Sequence, residues 1–362
     1  MSSKHAFVTL DALRGIAALG VAVTHMPRVF DGVTVPNAHL AVDFFFQLSG
    51  FVIAFAYLKK IEEGMSLGTF VRARVNRLYP IFLVGILLGV AVAVAALAFG
   101  GAGMSVSWSG RAFGCAVLPN LLMLPAFGCG VDNLIFPFNP PMWSVFHEFL
   151  VNIAFFLLIP LLRFRLLVLC LPPFLYLLLA PFVLGSGGFD FGFGWGDFLP
   201  GFLRTAASFL VGVNIFLAAD RRMSSSNLVG VLLAVVTGAA LYASHTGLIY
   251  ESVMVVVVFP LVVWFGARYN PSHAGLAWLF VKLGSISYVL YAIHKPTYQL
   301  LYGALLKFVP SLIGRAGMAL GVAMLAGIVL LSWWLARYYE PAARALLGKV
   351  GAARRAAPAS AE

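Results

Sequence analysis

Arg14 and His25 stand eleven residues apart in a stretch, 7–26, that is otherwise mostly apolar. On an α-helix eleven residues turn through about 1100°, three turns plus ~20°, and rise ~16 Å, so the two side chains share one face at two depths. Ionisable groups inside such stretches are costly in lipid and face a bundle interior, a water-filled cavity or a partner. A guanidinium near the start of the stretch suits an anion approaching from that side. An imidazole further along suits a general base or a nucleophile, with a hydrogen-bonded packing histidine as the bland alternative.

Asp43 opens the next apolar stretch, which runs back antiparallel, so it comes to a depth similar to that of His25. A carboxylate there would accept from one imidazole nitrogen and leave the other free as a base. Gln47 is one turn on, on the same face, and plain interhelical hydrogen bonding is the alternative for both. Arg72, Arg74 and Arg77 crowd the start of the third stretch, where three guanidiniums can clamp phosphates. A positive cluster against lipid headgroups explains them equally. Glu148 follows in Trp143-Ser144-Val145-Phe146-His147-Glu148, and if that helix starts on the side where His25 lies, His147 and Glu148 reach its depth. Asp43 and Glu148 are therefore candidate catalytic carboxylates beside His25.

Further along, the loop 185–197 (GSGGFDFGFGWGD) carries aromatics and two carboxylates that suit a sugar, although an interfacial anchor is the preferred reading. The run from Ser287 to Pro296 ends a helix with His294 at its boundary. Cys115, Cys129 and Cys170 show no metal spacing, and no metal site is expected. A bridge between Cys115 and Cys129 is open to the chain in an oxidising compartment, but membrane-helix packing is the preferred reading.

The elements that must position these groups follow from composition. Of 362 residues 62% are apolar or aromatic and 10% charged, against roughly 45–50% and about 25% in soluble domains. That excludes an ordinary soluble enzyme, a disordered chain and a disulfide-stapled secreted domain, and leaves a polytopic helical membrane protein. At ~20 residues per span, ten spans fit: 7–26, 39–58, 78–99, 142–162, 166–184, 199–219, 228–243, 251–267, 276–294 and 315–337. The stretch 113–127, short and holding Pro119 and Pro125, reads as a re-entrant or interfacial helix. The first stretch is expected to be a retained helix rather than a cleaved signal, because Asp11 and Arg14 interrupt it.

Twenty-four Lys and Arg against thirteen Asp and Glu give a net charge of +11. Lys59, Lys60, Arg72, Arg74, Arg77, Arg163, Arg165, Arg221, Arg222, Arg268 and the basic tail collect on one side, and only Arg28, Arg111, Lys295, Lys307 and Arg315 on the other. The positive-inside rule then sets both termini in the cytoplasm and explains the excess charge without a nucleic-acid partner. No internal repeat is visible, which weakens a reading as an inverted-repeat transporter.

Several blocks, in order, resemble the membrane-bound acyltransferase 3 family, bacterial multi-pass proteins that O-acylate sugars of surface polysaccharides, nodulation factors and some macrolides. They are Leu10-Asp11-Ala12-Leu13-Arg14-Gly15 with His25; Val42-Asp43-Phe44-Phe45-Phe46-Gln47-Leu48-Ser49-Gly50; Arg74-Val75-Asn76-Arg77-Leu78-Tyr79-Pro80; Trp143-Ser144 with Glu148; and the Ser-Tyr-x-x-Tyr-x-x-His-x-Pro ending at Pro296. The resemblance implies a transmembrane acyltransferase domain over 1–340; the Ala/Arg/Pro/Ser composition that follows reads as a basic cytoplasmic tail over 341–362, disordered beyond a short amphipathic piece. The hydrolase-like extra-membrane domain of some members is not expected.

The resemblance further implies a bacterial inner-membrane location, acyl-CoA, in particular acetyl-CoA, as a co-substrate from the cytoplasm with no permanently bound cofactor, and a carbohydrate or glycolipid acceptor. His25 would be catalytic, and Arg14, Arg74 and Arg77 would lie near the donor, to which the clustering of Arg72 with Arg74 and Arg77 adds Arg72 as a further candidate phosphate contact. CoA is polyanionic, and the ~16 Å from Arg14 to His25 suits its pantetheine arm. Direct attack by a hydroxyl deprotonated by His25 is the preferred route, an acyl-histidine the variant. The rival class is a transporter or flippase of an anionic metabolite or glycolipid, using the same charges for binding and proton relay.

Overall fold

The apolar stretches form helices in the computed structural model, which describes residues 7–100, 106–219 and 223–356. Arg221 and Arg222, invoked above for topology, and the end of the expected tail, 357–362, lie outside the described residues. In chain order the helices are α1 (Val8–Thr24), α2 (Ala41–Glu62), α3 (Leu67–Phe99), α4 (Gly110–Leu121), α5 (Met142–Leu158), α6 (Arg165–Ser186), α7 (Phe198–Ala218) and α8 (Asn227–Tyr242). They continue with α9 (Leu248–Val253), α10 (Phe259–Gly266), α11 (Ala274–Phe308), α12 (Pro310–Trp334) and α13 (Glu340–Ala356). Eight helical segments among the described residues are long and apolar enough to cross a membrane, one of them formed by α9 and α10 joined through a π-helical turn. Helices α1 and α8, with 17 and 16 residues, are shorter. Helix α4 has 12 residues, ~18 Å of rise, which is short of the ~30 Å hydrocarbon core. The tail expected from 341 begins inside α13, whose Glu340 carboxylate accepts from Arg77 and Arg344 and ties the helix to α3.

Two helix pairs make the centre, α1 along α11 and α2 along α7. Lipid tails are as apolar as leucine side chains, so membrane helices gain from close backbone approach and from polar contacts between them. Both occur between α2 and α7. A Cβ on Gly50 would lie 1.9 Å from the Phe209 carbonyl oxygen, and one on Gly212 would lie 1.9 Å from that of Gln47. One stripe of each helix is thus polar at one end and glycine at the other: Asp43, Gln47 and Gly50 on α2, and Arg204, Ser208 and Gly212 on α7. The close approach below brings the polar ends together above.

Helix α11 runs on from the expected end at 294 to Phe308 and carries Pro296 in its interior. A proline there frees the carbonyl four residues earlier, and that carbonyl, of Ala292, accepts from Asn139 Nδ2 at 2.7 Å. The connection before α5 therefore repairs the helix that the proline would weaken.

Cys115 and Cys129 are joined in a disulfide, with Cα atoms 5.5 Å apart. This corrects the preference for packing: the bridge closes α4 onto the chain that follows it. The loop 185–197 lies against the same region, with Ile135 N–H donating to the Phe193 carbonyl and Trp195 N–H to that of Asn133. Asp197 accepts from Gly192 and Gly194 N–H at 2.6 and 2.8 Å and shapes the loop. Phe189 and Phe191 are buried while Phe193 is exposed and Trp195 half-buried, so the first half of this loop is a packed wall and only the second half keeps aromatic surface free.

Candidate active site

Two cavities lie end to end inside the bundle, with Val42 and Tyr291 lining both. The arginine chamber, about 210 Å³, is lined by Arg14, Arg74, Arg77, Glu148, Ser49 and Tyr288 among others. The histidine chamber, about 400 Å³, is lined by His25, His39, Trp143, Asp190, Arg204 and Lys295. Between them the Tyr291 hydroxyl is hydrogen-bonded to Ser144 Oγ at 2.7 Å and lies 3.1 Å from the Pro141 carbonyl.

In the arginine chamber five helices converge, α1, α2, α3, α5 and α11. Arg14, from α1, donates through Nε to Ser287 Oγ at 2.7 Å and through Nη2 to Asp11 and the Gly284 carbonyl. Arg74 and Arg77 come from α3, as their shared face requires. Arg74 Nη2 meets Glu148 Oε1 at 3.3 Å, and its buried Nε has no hydrogen-bond partner. Ser49 donates to the same Glu148 oxygen at 2.6 Å. Arg77 pairs with Glu340 and lies over the Tyr288 ring.

Three expectations from the sequence need correction. Glu148 is in the arginine chamber with Arg74, not at the depth of His25, because Pro140, Pro141 and Trp143, at and just before the start of α5, already line the histidine chamber and Glu148 lies further along the helix. Arg72 is exposed and lines neither chamber: two residues from Arg74 is about 200° around a helix, which turns it away. Asp43 does not meet His25. It is wholly buried against Arg204, whose Nε and Nη2 reach both of its oxygens at 2.5–3.1 Å, and Ser208 adds a third donor.

His25 has another partner. At the end of α1 its Nδ1 lies 2.9 Å from the Val21 carbonyl and 3.2 Å from His294 Nε2. His294 Nδ1 faces the carbonyls of Leu290 and Tyr291 at 3.1 and 2.8 Å, so it must carry the proton and donate. That leaves His294 Nε2 as an acceptor and His25 Nδ1 as its donor. The lone pair of neutral His25 is thereby assigned to Nε2, which makes no hydrogen bond among the described residues. His147 is spent on structure, between the carbonyls of Trp143 and Phe198 at 2.9 and 3.2 Å.

Two of these groups were missed from sequence. Arg204, a few residues into an apolar stretch, needed a buried acid as partner, and Asp43 was the acid at that depth. His294 was noted at the boundary of its helix, yet its pairing with His25 spans 269 residues and no local spacing encodes it.

Comparison with known proteins gives the chemistry a name. The model of the acyltransferase 3 family, described as an acyltransferase domain, matches residues 7–337. The chain is 36% identical over 162 residues to protein 2 in the picA locus of Rhizobium radiobacter, covering 42% of this chain and 83% of that protein. It is 32% identical over 163 residues to the acyltransferase MdmB of Streptomyces mycarofaciens, again 42% of this chain but 38% of the relative. No solved structure matches the chain. Since the matched region takes in every residue that lines either chamber, the chain belongs to the acyltransferase 3 family and is a multi-pass membrane acyltransferase.

Proposed function

We propose that this protein moves an acyl group, acetyl in the simplest case, from cytoplasmic acyl-CoA to a hydroxyl of a sugar or glycoconjugate at the outer leaflet of a bacterial inner membrane. The observation that carries this reading is the pair of chambers meeting at Val42 and Tyr291, cationic in one and holding His25 in the other. Ten crossings, counting α1 and α8 and leaving α4 at the interface, set both termini and the arginine chamber on the cytoplasmic side. The Cys115–Cys129 bridge supports that orientation, since disulfides persist on the oxidising side of a membrane.

In this reading Arg14, Arg74 and Arg77 hold CoA phosphates through charge-assisted hydrogen bonds. Glu148 orients Arg74. The thioester reaches past Val42 and Tyr291 to the histidine chamber. There His25 Nε2 takes the proton of the acceptor hydroxyl as its oxygen attacks the thioester carbonyl. The C–O bond forms, the C–S bond breaks, and the CoA thiolate receives the proton from the imidazolium. His294 Nε2 accepts from His25 Nδ1–H throughout, so it holds the tautomer and stabilises the imidazolium. Asp43, with Arg204, fixes α2 against α7 and touches neither reactant.

The test is acyl transfer from radiolabelled acetyl-CoA to glycan acceptors by the protein in lipid nanodiscs. His25→Ala should lose about a hundredfold or more, the contribution of a general base, while still binding CoA. His294→Ala should also slow transfer, with a smaller loss. Retention of more than a few per cent of activity in His25→Ala removes the imidazole from the reaction, and substrate flux without ester formation favours the transporter.

A further inference from the structure

The histidine chamber holds one cation whose charge no group among the described residues answers. The charge of Arg204 is answered by Asp43, and four of its five N–H groups are spent on that carboxylate and on the carbonyls of Phe191 and His39. His39 lies 3.2 Å from the Glu251 carboxylate, which also accepts from Phe189 N–H. His25 is engaged by His294. Lys295 lines the chamber, one residue beyond His294 on α11, and has no hydrogen-bond or ion-pair partner among the described residues. The lone carboxylate on the wall, Asp190, makes no ion pair with it. Trp143 and Phe193 present ring surface to the same space.

We propose that the acceptor is an acidic sugar, whose carboxylate is held by Lys295 while its ring lies on the aromatic wall and its hydroxyls donate to Asp190. This rests on the reading of the histidine chamber as the acceptor chamber. Lysine offers a compact ammonium with three donors rather than a planar fork, which suits one carboxylate on a flexible glycan better than a diphosphate. The chamber, about 400 Å³, is in the range of small-molecule sites, where a few placed polar groups among apolar walls give specificity. A neutral sugar would leave the ammonium unanswered beside His25. A site built around a polar partner rejects the analogue that lacks it more sharply than an apolar pocket rejects a change of size.

The experiment compares binding of a hexuronate tetrasaccharide with that of the same oligosaccharide after reduction of its carboxylates to alcohols, using the full chain in nanodiscs. The acidic ligand should bind at least about tenfold more tightly at low salt, with the preference shrinking as salt screens the charge. Lys295→Gln should bring the ratio of affinities close to one, and Lys295→Arg should retain most of it. Equal binding of the two ligands by the unmodified protein overturns the proposal, as does a preference that survives in Lys295→Gln. If Lys295→Gln does not fold, the unmodified protein and Lys295→Arg still decide.

Ester formation from labelled acetyl-CoA is followed in parallel. Equal slowing of transfer to both ligands in Lys295→Gln, without a change in their relative binding, assigns Lys295 to the reacting carbonyl and overturns the acceptor role. Acidic preference without any ester counts against the transferase reading and leaves the anion site standing. Ester on both ligands alike does the reverse.

Discussion

Two buried arginine–carboxylate pairs in this bundle look alike in sequence and differ in what they can do. Arg204 and Asp43 are 1% and 0% exposed, and Arg204 spends its donors on Asp43 and two carbonyls, with the rings of Trp143 and Phe191 around it. Arg74 gives Glu148 a single contact, keeps a buried Nε without a partner, and lines a chamber. Both guanidiniums border a cavity, but Arg204 has its charge neutralised and four of its five N–H groups spent, so it has little left for a ligand, whereas Arg74 keeps most of its donors. Burial alone would have ranked the first pair as the more functional. The count of unspent donors reverses that order.

The most severe way to challenge the contrast is to remove Arg204. Arg204→Ala leaves Asp43 buried and unpaired, and breaking such a pair costs about 3–5 kcal/mol. The expected result is loss of the monodisperse, folded protein in detergent, followed by size exclusion and thermal unfolding. Replacing both partners with apolar residues, Arg204→Met with Asp43→Leu, should recover most of the folded protein. A folded Arg204→Ala protein that fails only in acyl transfer would move this pair from scaffold to chemistry.

Arg74→Ala should do the opposite. The protein folds, while CoA affinity falls by about 1.5–3 kcal/mol, tenfold to over a hundredfold, as for loss of a charge-assisted contact. Calorimetric titration with CoA measures it, and Arg74→Lys should land between the two because it keeps charge and loses the fork. Unchanged affinity in Arg74→Ala would assign the chamber to something other than the donor.

Arg72→Ala is the smallest change and the control for the helical phase. An exposed arginine turned away from the chamber should alter stability by no more than about 0.5 kcal/mol and leave CoA titration unmoved. A tenfold loss of affinity would show that the donor reaches round α3 and that charge, not phase, governs the mouth.

Much of the architecture was legible because membrane helices announce themselves in one dimension. Expected spans at 166–184, 199–219 and 228–243 differ from α6, α7 and α8 by at most two residues at either end, since an apolar run either suffices to bury a helix in lipid or does not. The end of α11 was misread for a local reason. A proline at 296 reads as a stop, and the carbonyl that it frees is rescued by Asn139, 153 residues away. The disulfide was left open because two cysteines fourteen residues apart carry no distance until α4 turns back on the chain after it.

By itself the sequence determined that the chain is a helical membrane protein, that Arg14 and His25 share a face at two depths, and that Arg74 and Arg77 point together. These follow from hydrophobicity and from a helical period that is the same in every protein. Only the tertiary structure decided the partners: that Asp43 belongs to Arg204 and not to His25, that Glu148 stands with the arginines, and that His294 completes the imidazole pair. Depth along a helix can be counted from its ends. Which neighbour a side chain faces depends on how the helices rotate and slide against each other, and here that is set by contacts as close as those of Gly50 and Gly212, made between residues far apart in the chain.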